Sequence, residues 1–160
     1  MRNAVKTHGY RACVRWTANG EGTKSYRSYS RDHAIRVAEK PEIAASSDPA
    51  FRGDASRYNP EELLIASLAS CHMLWYLHLC AVNGVTVLEY SDDAAGTMEE
   101  NPDGSGQFVR VELHPRVSLA PGSDRARALD LHRDAHRLCF IARSINFPVE
   151  VAPTIAETPA

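Results

Sequence analysis

Asn59-Pro60-Glu61-Glu62 opens the stretch that decides the fold, and LLIASLASCHMLWYLHLCAV carries it from Leu63 to Val82. Asn59 offers a side-chain oxygen for an N-cap, Pro60 suits the first helical position, and Glu61 and Glu62 favour the positive end of the helix dipole. Asn83-Gly84 stops the run. The spacing therefore predicts one long helix. Its twenty mostly apolar residues also match the length of a membrane span. His72 and His78, Ser67 and Ser70 lie inside it, and no basic cluster flanks it. The central helix of a soluble protein, buried nearly all round, is the better reading.

Working outward, the text before this helix reads as strands. Tyr10 to Trp16 alternates and ends in Ala18-Asn19-Gly20-Glu21-Gly22, a turn cluster. Tyr26, Tyr29 and Ile35-Arg36-Val37 suggest further short strands, and Ala44 to Ser56 is a long, irregular loop of the kind that carries function. After the helix, Val85 to Tyr90 is strand-like, Asn101 to Gly106 is a hairpin signal, and Phe108 to Leu113 alternates. Ser123 opens a second helix through about Ala142, with Ala126, Leu129, His132, Ala135, His136 and Cys139 on one face. Val149-Glu150-Val151 reads as a last strand. Strands, helix, strands, helix and strand make an α+β domain, read as a single domain over 1–160.

Composition narrows the function. A chain of 160 residues and 17.6 kDa suits one domain and can bury roughly 70% of its unfolded surface. Eighteen basic residues against 20 acidic ones argue against a nucleic-acid binder with a broad basic face. The opening MRNAVKTHGYRACVRW holds no apolar stretch of the signal-peptide kind, so the expected location is cytoplasmic. No P-loop or dinucleotide fingerprint occurs, and no cofactor is implied.

Four cysteines, Cys13, Cys71, Cys80 and Cys139, are spread along the chain without a CxxC pair. In a reducing compartment each is a small core residue or a reactive thiol. Cys71 lies in the middle of the apolar helix, where a core role and a reactive one both stay open. His132, His136 and Cys139 share a helical face as H-x3-H-x2-C, a spacing that could hold metal ligands but marks no fourth. The overall reading is that no metal is bound.

Asn59-Pro60-Glu61-Glu62-Leu63-Leu64-Ile65-Ala66-Ser67-Leu68-Ala69-Ser70-Cys71-His72 resembles the central helix of the OsmC/Ohr family, the osmotically inducible and organic-hydroperoxide-resistance proteins. Ala135-His136-Arg137-Leu138-Cys139 resembles that family's second cysteine segment, and the cysteine spacing and element order agree. The resemblance implies an intertwined homodimer, with long helices packed centrally, antiparallel sheets outside and active sites at the interface. It also implies a thiol peroxidase. Cys71 attacks an organic hydroperoxide and becomes a sulfenic acid, Cys139 condenses with it to a disulfide, and a dithiol reductant of lipoyl type reopens the bond. Glu61 then takes the position of the glutamate that holds an arginine over the thiolate. A small-molecule or lipid-like binding protein with slow, ancestral cysteines is the alternative on the same fold.

The chemistry asks for such an arginine independently. An ordinary thiol is mostly protonated at neutral pH, and Cys71 lies about three turns inside its helix, beyond reach of the dipole. Glu61 and Cys71 stand about 15 Å apart along the helix axis, so a long arginine must span the gap or come from a partner chain. Arg52, in Phe51-Arg52-Gly53-Asp54, is the first candidate, Arg31 the second, and Arg57 a further rival. Two other features stand out. Phe140-Ile141-Ala142-Arg143 follows Cys139 where the family's peroxidase branch has a proline, which bears on how Cys139 approaches Cys71. His72 and His78 read as core histidines bonded to backbone, Trp75 as core or as the wall of an apolar pocket, and Cys13 and Cys80 as structural thiols.

Overall fold

The computed structural model describes residues 5–157, which fall into two compact units, up to Leu63 and from Leu64 onward. The first unit is an antiparallel sheet of β1 (Cys13–Arg15), β2 (His33–Arg36) and β3 (Ile43–Ala45), with Val14 opposite Ile35 and Ala34 opposite Ala44. Ala45 is its one buried hydrophobic residue among those described. Polar contacts do much of the holding instead. The buried Ser46 hydroxyl donates to Asp32 Oδ1 at 3.0 Å and accepts from the Asp54 amide at 3.0 Å. The Arg31 guanidinium lies 3.9 Å from the Tyr29 ring centre and 4.5 Å from that of Tyr26.

Helix α1 (Pro60–Val82) begins and ends as expected. Asn59 Oδ1 accepts from the Glu62 amide at 2.8 Å while Glu62 Oε2 accepts from the Asn59 amide at 3.2 Å, a reciprocal capping box. At the other end Gly84, at φ 72°, turns the chain so that the Val85 amide reaches the Cys80 carbonyl at 3.0 Å. The side-chain burial differs from expectation. Leu68, His72, Tyr76 and Cys80 are buried, one residue every four along a single stripe, whereas Leu74 and Val82 are 63% and 64% exposed. Within one chain the helix has one covered face rather than burial all round.

The second unit builds two three-stranded sheets from three long runs of chain. β4 (Val87–Asp92) continues into β5 (Ala95–Glu100), β6 (Gly106–Leu113) into β7 (Pro115–Leu119), and β8 (Val149–Val151) into β9 (Thr154–Glu157). Each run breaks at one or two residues: Asp93-Ala94, His114, and Ala152-Pro153. The halves of the first run pair crosswise with those of the second, and the halves of the second pair like with like against those of the third, giving the orders β4-β7-β9 and β5-β6-β8. Within each sheet the first pairing is antiparallel and the second parallel. The parallel pairings need a crossover, and α2 (Arg125–Leu138) supplies it.

Two apolar clusters result. One joins Tyr76 and Cys80 of α1 to Val117 and Leu119 of β7, Ile155 of β9, and Ala128, Leu131 and Ala135 of α2. The other joins Leu68 of α1 to Val111 and Leu113 of β6 and to Cys139. The α+β class stands, with several local corrections. Only Cys13–Arg15 of the Tyr10–Trp16 stretch is strand, and Tyr26 and Tyr29 lie in turns. The Ala44–Ser56 loop contains the end of β3 and a 3-10 turn at Pro49–Phe51. β5, β7 and β9 are strands that the sequence reading did not include; each follows another strand after a break of only one or two residues. Helix α2 starts after its Asp124 cap and stops at Leu138, so Cys139 caps the helix with an extended backbone instead of lying on it.

Candidate active site

Cys71 and Cys139 meet in the second apolar cluster. Cys71 is half-buried on the middle turn of α1, and Cys139 is fully buried at the end of α2. Cys71 packs against the buried cluster that contains Cys139, the two thiols are close enough to influence each other, and both remain free. Ile65, Ala69, Phe108, Ile141 and Val149 pack around them. Burial raises the Cys139 thiol to about 11, and the neighbouring Cys71 thiol adds to the rise. The Ala142 amide opposes it, donating to Cys139 Sγ at 3.4 Å from the 3-10 turn Ala142–Ser144. Trp75, one turn after Cys71, packs against both clusters, and its ring meets Phe140 edge-on at 5.5 Å. Phe140 stands where the peroxidase branch has proline.

The other proposed site residues lie in the first unit. Glu61 is half-buried in the first turn of α1, with Oε2 buried and unpartnered among the described residues. Arg52 is exposed, holds a left-handed backbone at φ 69° and lies 6.0 Å from the Tyr26 ring centre. Arg31 donates to the carbonyls of Tyr29 and Tyr26, and Arg57 faces Asp54 and Asp32 at 3.5 and 3.7 Å. None of the three is paired with Glu61 among the described residues.

The OsmC-like protein family matches residues 53–154, a span that takes in Glu61, Cys71 and Cys139 and begins one residue after Arg52. The chain belongs to the OsmC-like protein family. Solved structures agree with this placement. An OsmC-like protein of unknown function from Vibrio cholerae is 29% identical, with a TM-score of 0.82 over 94% of this chain and 100% of that one. An organic hydroperoxide resistance protein from Legionella pneumophila is 18% identical, at 0.66 over 94% and 99%. That of Bacillus subtilis is 20% identical, at 0.60 over 92% and 98%, and these two show the shared fold alone. No curated protein matches the chain.

This OsmC-like chain also carries a buried polar array that sequence reasoning missed. His72 is buried but bonded to another histidine rather than to backbone: its Nε2 lies 3.0 Å from His132 Nδ1, with the rings parallel to within 8°. Tyr76 stacks on His132 at 3.8 Å. Burial drives the imidazole of His72 down to about 4 and that of His132 to about 3, each lowered further by a neighbouring histidine. No residue pattern announced the pair, whose members stand 60 positions apart on different helices. His132, His136 and Cys139 do not form a metal-holding group, and no such group of three occurs among the described residues. His78 is exposed, edge-on to Trp75, and not a core residue. Cys13 is exposed as well, whereas Cys80 is buried.

Proposed function

We propose that this chain is a thiol-dependent peroxidase that reduces organic hydroperoxides to alcohols. The observation that carries the reading is the closeness of the Cys71 and Cys139 thiols in an apolar cluster, in a chain of the OsmC-like family. The Cys71 thiolate attacks the distal peroxide oxygen. The O–O bond breaks, Cys71 becomes a sulfenic acid, and the alkoxide takes a proton to leave as the alcohol. The Cys139 sulfur then attacks the Cys71 sulfur. Hydroxide departs with the Cys139 proton as water, and a disulfide forms. A dithiol restores both thiols and is itself oxidised to a disulfide.

The apolar lining suits hydroperoxides with a hydrocarbon body. Activation of Cys71 calls for an arginine held by Glu61, whose buried Oε2 has no partner among the described residues, and Arg52 is the first candidate. We assign the active form to a cytoplasmic homodimer, in which a second copy can bring that arginine. The deciding experiment adds one equivalent of cumene hydroperoxide to the reduced protein and maps peptides without reduction. A Cys71–Cys139 disulfide within seconds is expected, and Cys71→Ser abolishes peroxide consumption. Thiols that stay reduced would discard the peroxidase in favour of a small-molecule or lipid-like binding protein.

A further inference from the structure

Cys139 sits on a short hinge. Residues 139–141 join the end of α2 at Leu138 to the 3-10 turn Ala142–Ser144, and the Cys139 backbone is extended, at φ −62° and ψ 116°. The hydrogen bonds of this hinge are local. The Cys139 amide donates to the Ala135 and His136 carbonyls at 2.9 and 3.3 Å, and the Cys139 carbonyl accepts from the Arg143 amide at 3.1 Å. The Ser144 hydroxyl donates to the Phe140 carbonyl at 2.7 Å. These bonds fix the hinge to its own helix end, and among the described residues none of them reaches α1, which carries Cys71. The hold on α1 is apolar instead. Ile141 and Ala142 pack against the cluster of Leu68 and Cys139, and the Phe140 ring meets Trp75 edge-on at 5.5 Å and 85°.

Phe140 is 66% exposed, so it adds little to the core, whereas Trp75 packs against both apolar clusters and is a fixed wall. Edge-to-face rings at this separation attract beyond the area they bury, enough to shift a population by a factor of about two to ten. Position gives the contact its use. Trp75 follows Cys71 by four residues, so both lie on one face of α1, about 6 Å apart along the axis. Phe140 follows Cys139 directly, the thiol buried and the ring outward over Trp75, as extended backbone alternates its side chains. One hinge thus faces one helix at two points, Cys139 toward Cys71 and Phe140 on Trp75. The step most sensitive to such a hold is attack by Cys139. Its sulfur is a buried, protonated thiol at neutral pH and reacts slowly, so the rate follows the fraction of time it is aligned.

We propose that Phe140 is a positioning residue that rests on Trp75 and holds the Cys139 sulfur toward Cys71, an inference that rests on the reading of Cys139 as the resolving thiol. In that step the Cys139 sulfur attacks the Cys71 sulfur, the S–O bond of the sulfenic acid breaks, and the oxygen leaves as water with the Cys139 proton. Diamide, a small thiol oxidant, tests the hold without peroxide. The half-buried Cys71 thiol adds across its N=N bond, Cys139 attacks the Cys71 sulfur, and the S–N bond breaks to release the hydrazine with both thiol protons. Quenched peptide mapping of the full-length protein gives the rate of the Cys71–Cys139 disulfide. At high diamide that rate reaches a plateau set by the sulfur–sulfur step, and at low diamide its slope reports addition to Cys71. Phe140→Ala lowers the plateau at least about threefold, within the range of one aromatic pair, and leaves the slope unchanged. Phe140→Tyr keeps the ring and the native plateau. Removing an exposed side chain costs the fold little, and a loosened fold would expose Cys71 and raise the slope. The proposal is overturned by a smaller loss in Phe140→Ala, by an equal loss in Phe140→Tyr, or by a slope that moves with the plateau. A native protein in which diamide forms no Cys71–Cys139 disulfide overturns it too. A protein that closes the disulfide with diamide but not with cumene hydroperoxide retains the Phe140 hold and loses the peroxidase, so the two readings fail separately.

Discussion

Cys139 combines two properties that decide how it can react. It is fully buried, and burial together with the Cys71 thiol raises it to about 11, so at neutral pH it is a thiol. The proton it carries is the one that departing hydroxide needs when the sulfenic acid condenses, so a raised thiol fits the resolving step better than the attacking one. In the reduced native protein at pH 8, iodoacetamide should therefore modify Cys139 at least about tenfold more slowly than the exposed Cys13. Peptide mapping over a time course measures both, and equal rates would show that the thiol is neither buried nor protonated in solution. The pairing of Cys71 with Cys139 was legible only through family resemblance, since composition and spacing left each as core or reactive. The arginine is less legible still. Arg52, Arg31 and Arg57 all precede the helix, and a guanidinium on a loop carries no periodic signal of where it reaches.

Between elements, the joint of α1 with α2 is made by His72, His132 and Tyr76, a stack of rings where an ordinary core would have leucines. Both imidazoles are held neutral, at about 4 and about 3 against about 6.5 for the unfolded chain. The folded state thus resists a proton that the unfolded state accepts. The stabilising contribution is complete above pH 6.5 and falls away as pH drops toward 4 and below. His72 alone should cost on the order of 3 kcal/mol by pH 4. Urea midpoints at pH 7.5, 5.5 and 4 check this. A steep decline is expected in the native protein, and a double His72→Phe, His132→Phe variant should lose most of it. A flat profile in the native protein would mean that the pair is hydrated or already protonated. Element legibility follows the same physics. Helix α1 announced both its ends because its caps are local chemistry, Asn59 with Glu62 and Gly84 with Val85. β5, β7 and β9 did not, because their boundaries at Asp93-Ala94, His114 and Ala152-Pro153 are breaks of only one or two residues, too short to stand out as turns between separate strands.

For the molecule as a whole, the balance of buried and exposed apolar surface is the informative quantity. The unit up to Leu63 buries a single hydrophobic residue, Ala45, among those described, and leaves Val14 65% and Tyr10 90% exposed. A three-stranded sheet with so little core is marginal by itself. Helix α1 is long and apolar enough to cross a membrane, with only 22% of its most apolar window buried in the chain. Exposed apolar surface on this scale marks a contact with something else. A membrane and a second copy would both cover it, and they differ in one measurable respect. A spanning helix needs detergent, whereas the intertwined homodimer proposed above is soluble without it. Light scattering on a detergent-free size-exclusion column should give about 35 kDa, twice the 17.6 kDa chain. Leu74→Glu, at a site 63% exposed in the single chain, should cost that chain little by itself. It should shift the species toward 17.6 kDa, because a dimer would have to bury the new charge. A native protein that elutes as a monomer, or that stays in solution only with detergent, would remove the dimer and with it the arginine supplied by a partner chain.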